Sequence, residues 1–205
     1  MDEPSGLLGR FSRNLRTLRE YSRIAGVAEI ARRYMAMNAF DGVLTMIGVL
    51  MGNYVAGVRS ASVVIHTGMA TSIAMGVSGL WGAYLTEAAE RKRELAELER
   101  ASLTDLGQTR IGRASRVAVV IVALVDGLVP FVAALIVLLP LFAAGLLGNI
   151  LVSYALALVL ALVGLFGLGA FLGHVSGRSL VGYGLRTLVA GIVSIALSLL
   201  LGAEP

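Results

Sequence analysis

From Val117 to Phe142 the chain carries a single charged residue, Asp126, among Val, Ala, Leu, Ile, Gly, Pro and Phe. A helix needs about 20 mostly apolar residues to cross the hydrocarbon core of a bilayer, and this stretch supplies them. Four others do the same: Tyr34 to Val58, Ser62 to Thr86, Leu146 to Leu172 and Leu185 to Leu201. With 57% apolar residues, 15% charged residues and a mean hydropathy of +0.84, the chain of 205 residues has too little polar surface for water to be its only solvent. The sequence therefore predicts an all-α integral membrane protein with five transmembrane helices, multi-pass in the cell membrane.

The basic residues orient these spans. Of the 17 Lys and Arg, only Arg59 falls in the connection between spans one and two, and none falls between spans three and four. The others lie before span one, between spans two and three, or between spans four and five. The positive-inside rule then places the N-terminus in the cytoplasm and the C-terminus outside. The expected organisation is a cytoplasmic or interfacial segment at 1–33, spans one and two at 34–86, a charged helical extension at 87–116, and spans three to five at 117–202. Within the first segment, Leu8, Phe11, Leu15 and Leu18 alternate with arginines from Arg10 to Arg23, which predicts an amphipathic helix on the inner membrane surface. Its scattered charges leave no apolar core for a secretory signal. The net charge of +4 is explained by the inner face, no nucleic-acid motif accompanies it, and no nucleic-acid partner is expected. Without cysteine there are no disulfides, thiolate metal sites or thiol nucleophiles.

An ionisable group at membrane depth costs at least ~2.5 kcal/mol, so such groups usually face inward and act. Asp41 lies about two turns inside the first span, and Thr45, Gly48 and Gly52 follow it on one helical face. Gly68, Thr71, Met75, Ser78 and Gly82 make a similar row on the second span. Two narrow faces, one with a carboxylate and one with a thioether, offer a shared path; the plain alternatives are a boundary aspartate and a core methionine. Asp126 is set near the middle of the third span, one turn before Pro130, where a transport role and a structural polar contact are both open. His66 and His174 read as boundary residues, with no further ligand at metal-binding spacing. Past the second span, Glu87, Glu90, Glu94 and Glu97 recur on one helical face. Hard oxygen ligands suit divalent cations. The same glutamates also stand at helix-neighbour spacing from Arg91 and Arg93, the pattern of a solvated, ion-paired face.

Together these stretches resemble the vacuolar iron transporter family. The likeness lies in "FDGVLTMIGVLMG" on span one, "SIAMG" on span two, the glutamate-bearing helix that continues from it, "GLVPFVAALIVLLPLF", and "SGRSLVGYGLRTLVAGIVSIALSLLLG". It runs from about residue 36 to 202 and keeps the order of all five spans. The resemblance implies a homodimeric exporter of Fe²⁺ or Mn²⁺ from the cytosol in exchange for protons, with no tightly bound cofactor. It also implies that Asp41 and Met75 are metal ligands in the path, and that Glu87, Glu90, Glu94 and Glu97 are cytoplasmic metal-binding glutamates. Two features depart from the family. "MGVSGLWGAYL" adds about one helical turn ahead of the glutamates, and the connection after span two is too short for a full three-helix metal-collecting domain.

Two other classes compete. A "DG" opening a helix also occurs in phosphatidyl transferases that act on CDP-alcohols, but residues 43 to 56 lack that family's "AR" and further aspartates. No Ser–His pair is suitably placed within the spans for proteolysis, so no enzyme is expected. A non-transporting scaffold, using the arginine helix and glutamate row to hold a partner, remains the alternative.

Overall fold

The computed structural model describes residues 20, 21 and 26–202, and these are helical nearly throughout, without a strand among them. Six helices follow in order: α1 (Val27–Val55), α2 (Ala61–Ser102), α3 (Arg110–Phe142), α4 (Ala144–Leu147), α5 (Ile150–Val175) and α6 (Leu180–Leu201). Five segments are long and apolar enough to cross a membrane, which makes this a multi-pass helical membrane protein. The predicted amphipathic helix falls mostly on residues outside the described ones; from Val27 onward its residues belong to α1.

Element boundaries differ from the hydropathy reading where local capping takes over. The fourth span was expected from Leu146, but that residue lies in the one-turn α4. Gly148 then turns the backbone into the left-handed region (φ 65°), and the Asn149 side chain caps α5 by accepting from the Leu151 N–H at 2.9 Å. Ser179 caps α6 in the same way, accepting from the Gly182 N–H at 3.1 Å. The charged extension continues α2 unbroken to Ser102, and α3 begins at Arg110.

The chain forms two compact units, Met1–Tyr34 with Gly79–Asp126, and Met35–Ser78 with Gly127–Pro205. The second holds the large apolar core. Val43, Met46, Ile47 and Leu50 of α1 meet Ala134, Val137, Leu138 and Leu141 of α3 and Tyr154, Ala157, Ala161 and Leu165 of α5, all buried. The α5–α6 hairpin in this unit is packed through missing side chains. A Cβ at Gly169 would strike the Thr187 hydroxyl and come within 2.5 Å of the Tyr183 carbonyl oxygen, so the two backbones nearly touch. Thr187 donates across this contact to the Leu165 carbonyl at 2.7 Å. Close backbone approach and a hydroxyl bond between helices are the usual means of association where lipid supplies no hydrophobic drive.

The other unit contains the far half of α2 and the start of α3, and its buried residues include the small Ala83, Ala114, Ala118 and Ala123. Its connecting loop is tied by side chains: Asp105 accepts from the Gly107 N–H at 2.8 Å, and Glu99 accepts from the Leu106 N–H at 2.9 Å. At its edge, Arg110 and Glu20 form an ion pair at 2.9 Å. Along the spans Leu124, Leu128, Val132 and Leu139 of α3 and Val159 and Val163 of α5 are exposed, an apolar surface suited to lipid.

Candidate functional site

Asp41 stands at the midpoint of α1, about 12 Å of helix beyond Arg33. One face of α1 supplies the core residues Val43, Met46, Ile47 and Leu50. Asp41, Gly48 and Gly52 lie outside that face and are exposed, with Thr45 half-buried, and a Cβ at Gly48 or Gly52 would meet nothing within 4 Å. The predicted row is thus mostly exposed in the single chain.

The turn that presents Asp41 is held by its neighbour. A Cβ at Gly42 would lie 2.5 Å from the carbonyl oxygen and 2.8 Å from the Cα of Pro130, which are backbone atoms that cannot swing aside. Only glycine lets α1 approach α3 so closely there. The proline lies inside α3, where it replaces a hydrogen-bonding N–H with a ring. The sequence reading noticed both residues and missed that they touch.

On α2 the predicted row is divided. Gly68 is buried against Leu138, whose methyl carbons would be 2.8 Å from a Cβ there, and Met75 is half-buried on the core. Ser78 and Gly82 are exposed, and nothing lies within 4 Å of Gly82. A polar link that sequence spacing did not reveal joins α1 to α2: Asn53 donates to the Thr67 hydroxyl at 3.1 Å and to the Val49 carbonyl at 2.8 Å. Its only signal in the sequence is an asparagine close to the end of an apolar run. Asp126 is half-buried and is followed by the buried Gly127.

All four glutamates of the α2 row are ion-paired. Arg91 lies 3.5 Å from both Glu87 and Glu94, while Arg93 lies 2.9 Å from Glu90 and 3.7 Å from Glu97. Four carboxylates share two guanidinium groups, so the row keeps a net negative charge. Among the described residues of one chain, no three His, Asp or Glu side chains come together as a metal cluster.

The fold defines a helical, multi-pass membrane protein, and Asp41 lies on the first of its apolar helices. The chain is similar to an uncharacterized protein of Methanocaldococcus jannaschii, 29% identical over 172 residues that make up 82% of this chain and 86% of that one. No protein-family model matches.

Proposed function

We propose that the protein is a homodimeric transporter that moves a divalent transition-metal ion, Fe²⁺ or Mn²⁺, out of the cytosol across the cell membrane in exchange for protons. One observation supports this reading: Asp41 is exposed on the first membrane-spanning helix, in a row with Gly48 and Gly52, beside which a Cβ would meet nothing within 4 Å. A carboxylate at that depth needs water, a cation or a partner. A second copy packed on this row encloses a narrow polar path with two carboxylates. Met75 adds a soft thioether from α2, and a mixed oxygen and thioether set suits Fe²⁺ or Mn²⁺ better than Ca²⁺. Asp41 exchanges a proton for the metal, because a bound cation favours its ionised form. The glutamates of α2 hold excess negative charge on the helix that carries Met75, where they raise the local cation concentration. The N-terminus is cytoplasmic in this reading, with the basic connections on the same side. Transport needs no catalytic residue, and none is assigned.

Flux of Fe²⁺, Mn²⁺, Co²⁺ and Zn²⁺ into proteoliposomes, recorded together with lumenal pH, tests the proposal. Metal uptake with counterflow of protons is expected for Fe²⁺ or Mn²⁺. Absence of uptake for all four metals by folded protein would sink it and favour the scaffold.

A further inference from the structure

The unit containing residues 79–126 has a cleft of about 420 Å³ between α2 and the first turns of α3. Tyr84, Arg91, Lys92 and Leu95 line it from α2, and Arg116 and Val120 from α3. Its charge is not balanced. Arg91 is committed to Glu87 and Glu94, but among the described residues Lys92 and Arg116 have no carboxylate partner, and Arg116 donates instead to the Gly107 carbonyl at 3.3 Å. Two cations therefore line a space much larger than a simple anion requires, and apart from the paired Arg91 and from Ser115 most of its wall is apolar.

The apolar wall continues in one direction. Trp81, Tyr84, Ala88, Arg91 and Leu95 recur at spacings of three and four, so they share a face of α2. Walking back along that face leads from the cations to Tyr84 and then to Trp81, whose ring lies 6.2 Å from that of Tyr84. Walking forward along α3 leads from Arg116 to Val120 and Leu124. Trp81, Tyr84, Val120 and Leu124 are all exposed. Cations, then an aromatic pair, then open aliphatic surface is the order that a lipid presents in reverse: phosphate, glycerol, acyl chain.

We propose that this cleft binds an anionic phospholipid, with its phosphodiester held by Lys92 and Arg116 and an acyl chain laid past Tyr84 over Trp81. A soluble phosphate would satisfy the cations and leave the apolar wall bare; the lipid covers both. The proposal depends on the chain lying in a bilayer and is independent of what it transports.

Trp81 is the single tryptophan of the chain and reports on the site directly. Full-length protein is placed in phosphatidylcholine nanodiscs containing the same low fraction of either brominated phosphatidylglycerol or brominated phosphatidylcholine, and quenching of Trp81 is compared. The anionic lipid is expected to quench at least about 3-fold more strongly, since each basic side chain at the surface enriches it. The double variant Lys92→Gln/Arg116→Gln should erase that excess while phosphatidylcholine quenching stays unchanged, which also shows that the variant is folded. Millimolar inorganic phosphate should leave the excess in place. Equal quenching by the two lipids, an excess that survives the double substitution, or its loss to free phosphate would each overturn the proposal. So would a Trp81 that neither lipid reaches, because protein would then cover the face.

Discussion

Asp41 stands at the centre of α1, and its replacement by asparagine keeps the shape and an oxygen while removing both charge and proton exchange. A divalent ion leaving water needs that charge, because polar ligands alone offset little of its desolvation. Asp41→Asn is expected to abolish metal flux in proteoliposomes while the protein still inserts; flux at the wild-type level would make Asp41 a bystander. Asp126→Asn is expected to leave reduced but measurable flux. Gly42 gives a different test of the same turn. Its Cβ-free contact with the Pro130 backbone fixes how α1 meets α3, so Gly42→Ala must separate the helices. Overpacking of this kind costs ~1–3 kcal/mol, seen as a lower melting temperature in detergent, and flux should fall with it. Unchanged melting would mean that α3 yields easily at its proline. The sequence announced Asp41 plainly, because charge in an apolar run stands out in one dimension. It could not announce the Gly42–Pro130 contact, since that is a fact about two helices.

Helices were legible for the same reason that contacts between them were not. The length of an apolar run is a local property, and all five spans follow from it; their ends depend on single caps such as Asn149 and Ser179, which moved the start of α5 later than hydropathy implied and that of α6 earlier. The ion pairs of the α2 row were legible too, being set by spacings of three and four on one helix. That Arg91 takes two glutamates and Arg93 the other two, leaving the row negative, emerged only with the side chains in place. Replacing Glu87, Glu90, Glu94 and Glu97 together by Gln turns that negative row positive. The apparent affinity for metal should weaken by roughly 3-fold to 10-fold, with maximal flux partly retained, since exposed charges act modestly and additively. Unaltered half-saturation in the flux assay would reduce the row to a solvated face. On the α5–α6 hairpin the glycines act through packing alone. Gly169→Leu should lower the melting temperature by an amount equivalent to ~3 kcal/mol or more, without changing which metal is preferred.

Taken whole, the molecule distributes its charge very unevenly for a chain with so many apolar residues. Arg59 stands alone in its connection, its guanidinium 5.3 Å from the centre of the Tyr54 ring, and Tyr154 donates to the neighbouring Val58 carbonyl at 3.1 Å. Every other basic residue is expected on the opposite side of the membrane. Basic loops resist translocation, so this imbalance selects one orientation during insertion. With five spans, the proposed orientation puts the two ends of the chain on opposite sides and the glutamate row of α2 in the cytoplasm. A reporter inserted within residues 104–108 should therefore be active in the cytoplasm, and the same reporter fused after Pro205 should be active outside. Adding arginines to residues 56–60 should weaken that preference and give mixed orientations, because it opposes the signal directly. Reporters on the same side would mean that one apolar helix fails to span, and the glutamate row would then have no assigned side of the membrane. The outward path would lose its entrance, and with it the direction of transport proposed for this protein.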